Sequence, residues 1–127
     1  DQDRRKFVPQ VDFVSSPGFL DGSVGAREAA GLPRGTGPWR VVTPWAMFDY
    51  DEHSHHMRLI AISAFVTVEQ VLSEMDFQPL MADDVKVLDL PTEEQLDILR
   101  TRLDVDGRFG GSERMVQRND DGTYSII

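Results

Sequence analysis

Apolar and polar positions are most clearly patterned between Trp39 and Phe77. Arg40 to Tyr50 is rich in β-branched and aromatic residues, which suit a pleated, half-buried surface. Pro44 interrupts this run. It has no N–H to give to a ladder, which predicts an edge position or a bulge. Met57 to Ile62 is a second apolar run. Between the two, Asp51-Glu52-His53-Ser54-His55-His56 has nothing to bury and reads as a hairpin turn. The period then changes. Val68, Val71, Leu72 and Met75 fall on one helical stripe. Thr67 and Gln70 predict a capping box at its start, with Val66 and Val71 as a hydrophobic staple.

The flanks are read in the same way. Asp1 to Lys6 is polar, either frayed or docked elsewhere, and Phe7 to Val14 reads as a short buried strand ending in a Ser15-Ser16-Pro17-Gly18 turn. Phe19 to Pro38 contains seven glycines and prolines. Loops of such length within a compact domain are usually functional or disordered. Arg27 to Ala30 reads as one helical turn inside it, and Pro79-Leu80-Met81-Ala82 as a strand further on. Thr92 to Asp104 is a second helix. Thr92 and Gln95 form another capping box, acids stand at its start, Arg100 and Arg102 stand near its end, and Gly107 is the stop. Leu96, Leu99 and Leu103 mark its buried stripe. Met115-Val116 and Thr123 to Ile127 flank Asn119-Asp120-Asp121-Gly122, whose Asp-Gly signals a hairpin. A tail docked on a partner is the other reading of that end.

Composition narrows the class. The chain has 127 residues, 40% of them hydrophobic and 28% charged, which describes a globular domain. A net charge of -9 argues against nucleic acid, since phosphate binding needs clustered Lys and Arg. No cysteine is present, so neither disulfides nor thiolate chemistry enter. No run has the length of a membrane span and no signal peptide is visible, which predicts a cytoplasmic protein without membrane contact. The chain begins at Asp1 rather than Met, as after processing, proteolysis or truncation.

Candidate chemistry is sparse. His53 and His55 alternate as on one strand face, but nothing local completes a tetrahedral metal site, and a solvated hairpin tip explains them better. No metal is expected. Asp104-Val105-Asp106-Gly107 opens like a calcium loop and then fails, with Arg108, Phe109 and Met115 where ligands or glycine belong. The 22 acids read mainly as a solvated surface. Arg34-Gly35-Thr36-Gly37-Pro38 is the most phosphate-like element, because glycines let backbone amides approach an anion. It lacks the lysine of a P-loop.

Four segments in order resemble class I (glutamate-dependent) CoA-transferase β-subunits of the glutaconate CoA-transferase kind. They are Val11-Asp12-Phe13-Val14-Ser15-Ser16-Pro17-Gly18, then Arg27 through Pro38, then Val41-Val42-Thr43 with Phe48-Asp49-Tyr50-Asp51, then Val66 through Phe77. Phe65, Met75-Asp76 and Pro44-Trp45 depart from the family pattern. The resemblance implies an α/β fold: part of a CoA-transferase-type sheet with packed helices, residues 1–107 forming the C-terminal portion of the β-subunit domain and 108–127 an extension. In this family the 7–14 strand belongs to a parallel sheet whose carboxyl end faces the active site.

What the resemblance implies for function follows. Such enzymes attack an acyl-CoA thioester with a glutamate carboxylate and pass CoA to another carboxylic acid through covalent intermediates. None of Glu28, Glu52, Glu69, Glu74, Glu93, Glu94 or Glu113 matches the family's nucleophile motif, so the chain is expected to supply no catalytic residue. Ser16, Gly18, Arg34, Gly35 and Gly37 are the expected substrate and CoA pocket residues. The expected partners are a CoA-transferase α-subunit, the N-terminal half of a β-subunit and acyl-CoA. CoA thioester is substrate, and no bound cofactor is expected. Two other readings stay open: a β-like subunit of a hydrolase that opens rings in CoA-linked steroid or aromatic catabolites, and a non-catalytic interaction domain.

Overall fold

The computed structural model describes residues 2–105, 107, 116–119 and 124–126. It divides into two compact units, Asp1–Leu88 and Asp89–Ile127.

The first unit is built on a four-stranded sheet in the order β1-β2-β3-β4. β1 (Val41–Val42) and β2 (Ala46–Tyr50) are antiparallel, β2 and β3 (Met57–Ile62) are antiparallel, and β4 (Leu80–Val87) joins β3 in parallel. A single turn, α1 (Ala26–Ala29), interrupts the long glycine-rich loop. The parallel join needs a crossover, and α2 (Val68–Ser73) supplies it.

Local signals explain most of this. The polar tip at 51–56 closes the β2–β3 hairpin, with Asp51 N donating to His56 O at 2.9 Å. Asp51 Oδ1 accepts from Ser54 N and Ser54 Oγ, both at 2.7 Å, a side-chain turn that orders the tip. Thr67 Oγ1 accepts from Gln70 N at 3.3 Å, and Gln70 Oε1 accepts from Thr67 N at 2.8 Å, completing the capping box. Val66 and Val71 beside it are both buried. Pro44 lies neither on an edge nor at a bulge. The Arg40–Tyr50 run folds back on itself there, as Thr43 N donates to Ala46 O and Thr43 Oγ1 accepts from Ala46 N, both at 2.9 Å. The register shift in this region falls later, between Met47 and Phe48.

The core consists of Ala46, Phe48, Leu59, Ala61, Ile62, Val66, Val71 and Met75. Phe48 and Leu59 face each other across β2 and β3 and are both fully buried. Burial of each stabilises the unit by about 1.5–3 kcal/mol. The N-terminal residues are docked rather than frayed. Gln2 is buried with its amide toward Val71 O, Asp76 N donates to Phe7 O at 2.7 Å, and the Phe7 ring lies 5.9 Å from Phe48.

Phe7 to Val14 differs from the expected buried strand. No strand forms there, and Val11, Phe13 and Val14 are 51%, 81% and 64% exposed. A strand needs a ladder partner, and among the described residues none lies beside this segment.

In the second unit α3 (Glu93–Ile98) begins at the expected Thr92–Gln95 capping box and runs on as a π-helical turn, Leu99–Leu103. Gly107 takes φ +65°, consistent with a helix stop. The leucine stripe is covered only in part: Leu96 is half-buried, while Leu99 is 41% exposed and Leu103 69%. β5 (Val116–Arg118) and β6 (Tyr124–Ile126) pair antiparallel, as the hairpin reading expected. The Asp-Gly turn itself, like Asp106, Arg108, Phe109, Glu113 and Met115, lies outside the described residues.

Candidate functional site

The long loop folds against the tip of the β2–β3 hairpin, and aromatic contact fixes the meeting point. The Phe19 ring stacks on His55 at 4.3 Å with 7° between planes, and meets Tyr50 edge-on at 5.1 Å. His55 Nδ1 sits 2.9 Å from Gly22 O. A carbonyl only accepts, so Nδ1 is the donor in this contact. His53 and His56 are exposed, as a solvated tip requires, but His55 is half-buried and ties tip to loop. It adopts φ +55°, uncommon outside glycine.

Arg27 organises the loop from within. Its Nη1 donates to Gly18 O, and its Nη2 donates to Thr36 Oγ1 at 2.8 Å. Thr36 Oγ1 in turn donates to Pro33 O at 2.7 Å. One planar guanidinium thus joins both ends of the loop, a task its rigid fork suits. Gly37 passes so close that an added Cβ would lie 3.2 Å from Phe19 Cε1 and 3.5 Å from Arg27 Nε.

Two cavities border the Phe19–His55 stack, and both residues line both of them. One, of about 290 Å³, is walled by Arg27, Glu28, Gly35 and Thr36. The other, of about 410 Å³, is walled by Trp39, Arg40, Asp49, Tyr50 and Arg58. Arg58 grips Asp49 through two bonds, Nε to Oδ1 at 2.9 Å and Nη2 to Oδ2 at 2.7 Å. Those bonds are the main reason the Asp49 carboxyl sits below its ordinary range; burial opposes them, and the charges of Arg58 and Arg40 assist. Arg40 is held more loosely, 3.8 Å from Asp49 and 4.6 Å above the Trp39 ring. Burial raises the Tyr50 phenol above its ordinary value. These walls mix aromatic faces and guanidinium groups with carboxylates, for Asp51 and Glu52 also line the larger cavity and Glu52 the smaller.

The expected pocket residues separate into groups. Gly35 lines the smaller cavity. Gly18 and Gly37 form the backbone against which Arg27 packs. Ser16 and Arg34 are exposed and line neither cavity. Sequence reasoning gives Arg27 and Phe19 no place in a site and reads His55 as part of a solvated tip. Each is ordinary in its own local pattern, and only their meeting across 36 residues of chain, from Phe19 to His55, gives them a role.

No family model matches the chain. It is 33% identical over 102 residues to the β-subunit of glutaconate CoA-transferase from Acidaminococcus fermentans, a stretch that covers 80% of this chain and 38% of that protein. It is 30% identical over 116 residues to the β-subunit of 3-oxoadipate CoA-transferase from Pseudomonas knackmussii, covering 88% and 44% respectively. Its fold matches the crystal structure of the Acidaminococcus fermentans glutaconate coenzyme A-transferase with a TM-score of 0.79 at 31% identity, over 88% of this chain and 42% of that one. The chain therefore spans less than half the length of the relatives it matches. Within that span, its sequence and its α/β fold together make it a member of the CoA-transferase β-subunit family.

Proposed function

We propose that this chain is the C-terminal portion of a CoA-transferase β-subunit. It acts with an α-subunit and the remainder of a β-subunit to move CoA between an acyl-CoA and a carboxylic acid. The observation that carries this reading is the agreement of fold and sequence with one CoA-transferase over 88% of the chain. Both relatives are named as transferase subunits, which favours transfer over the ring-opening hydrolase.

In this reading the attacking glutamate comes from another part of the assembly, since no glutamate here matches the family motif. The chain contributes walls. Gly35 and the Arg27-stapled loop line one cavity, and Arg40 lines the other. CoA thioester is substrate rather than resident cofactor, and the expected pocket assignment of Ser16, Gly18, Arg34, Gly35 and Gly37 belongs to the same proposal. The proposed working place is the aqueous cytoplasm; no helix among the described residues is long and apolar enough to cross a membrane.

The test uses the complete complex, acetyl-CoA and isotope-labelled glutaconate or 3-oxoadipate. CoA appearing on the labelled acid is the expected result. Release of free CoA with no labelled thioester would overturn it.

A further inference from the structure

Arg27 stands nine residues from each of the two groups that its fork holds, Gly18 O and Thr36 Oγ1. Both acceptors lie in its own loop, and neither belongs to the sheet. Attachment of the loop to the hairpin is a separate matter, carried by Phe19 on His55 and by His55 Nδ1 donating to Gly22 O. The guanidinium therefore sets the shape of the loop rather than its attachment. The backbone it joins does not hold that shape unaided. Gly18 and Gly35 take φ +56° and +67°, and glycine visits such angles about as readily as negative ones. Arg27 also carries a cost. Among the described residues its Nε is buried without a hydrogen-bond partner, and an unpaired buried donor works against stability. The residues fixed in this way are pocket residues in the proposed function. Gly18 is held through its own carbonyl, Gly35 and Gly37 flank Thr36, and Gly37 passes close to Arg27. Arg27, Gly35 and Thr36 line the smaller cavity together.

We infer that Arg27 is a positioning residue for the CoA thioester, presenting the Gly18 and Thr36 arms of the loop as one preformed pocket wall. This rests on the proposed function. Arg27 acts through Gly18 and Thr36 rather than on the reacting atoms. A wall ordered before the ligand arrives spares binding the cost of ordering it. The task needs a fork, because one planar group meets both acceptors at once. Lysine in its place keeps the charge and loses the fork. Arg27 thus governs how tightly the thioester is held, and leaves the rate of the chemical step to groups elsewhere in the assembly.

The experiment compares the complete complex carrying Arg27→Lys, or Thr36→Val, with the parent complex, using acetyl-CoA and glutaconate. The KM for acetyl-CoA is expected to rise about tenfold in Arg27→Lys, the scale of one charged hydrogen bond, and by a smaller factor in Thr36→Val. In both, kcat stays within about twofold of the parent. The double variant is no worse than Arg27→Lys alone, because both changes remove the same Arg27–Thr36 bond. A merely structural arginine gives the opposite split: less active protein, so that kcat falls at an unchanged KM. That outcome overturns the inference and leaves the family reading intact, as does a KM and kcat that both stay unchanged. Thr36→Val, which keeps the size and branching of the side chain, decides the matter where Arg27→Lys does not assemble. If the parent complex transfers no CoA, the transferase reading falls, and its calorimetric affinity for acetyl-CoA is compared with that of the variants instead. Binding about tenfold weaker in Arg27→Lys upholds the positioning role. Equal affinity, or no binding by the parent, overturns it.

Discussion

Arg27 reaches two parts of the loop at once, and Gly37 passes where a larger residue would be crowded. At φ +143°, with Phe19 Cε1 3.2 Å from where a Cβ would stand, Gly37→Ala meets both backbone strain and a close contact. It is expected to destabilise the first unit by more than about 1 kcal/mol in urea denaturation. Asp51 sets a pH dependence. Hydrogen bonds from the Ser54 N–H and hydroxyl, with that of His53, lower its carboxyl from 3.8 to about 2. A folded pKa below the unfolded one means the stabilisation is fully present above pH 3.8 and is lost as pH falls toward about 2. Asp51→Asn keeps the turn without the titration. Its stability measured by circular dichroism should therefore change less across that window than the parent's. Residues of this kind are partly legible. The turn role of Asp51 follows from its neighbours in sequence. The role of His55 does not, because it depends on Phe19 and Gly22 arriving from a distant loop.

Elements defined by local chemistry match their sequence pattern, and elements defined by their neighbours do not. Both capping boxes are in place, since every atom they need lies within four residues. The β2–β3 hairpin closes at its polar tip for the same reason. The Phe7–Val14 strand does not form, and Leu99 and Leu103 stay exposed while Leu96 is half-buried, because hydrophobic pattern states what a segment would bury, not whether anything covers it. The π-helical turn after α3, closed by Asp104 N donating to Leu99 O at 2.7 Å, has no sequence signal that we recognise. Two substitutions separate local from packed contributions. Thr67→Ala loses the cap and should cost about 1 kcal/mol. Phe48→Ala opens a cavity opposite Leu59 and should cost about 3–5 kcal/mol, both read by thermal or urea unfolding.

At the scale of the molecule, the family and the α/β class are legible from four ordered segments, and comparison bears them out. The cavities are not, because each is assembled from the loop and the hairpin together. β4 carries a further consequence. It closes one side of the sheet, and Leu80, Met81 and Val87 on it are 40%, 43% and 61% exposed. An open apolar rim of this sort is a template on which copies stack. Asp83, Asp84 and Lys86 stand along the same strand, and the whole chain carries -9. Mutual repulsion keeps copies apart in dilute buffer, but its reach shrinks from about 30 Å at 0.01 M salt to about 3 Å at 1 M. Clear solutions of this chain should therefore turn turbid as salt is added, with light scattering rising at constant protein concentration. Storage at low ionic strength is the condition under which it keeps.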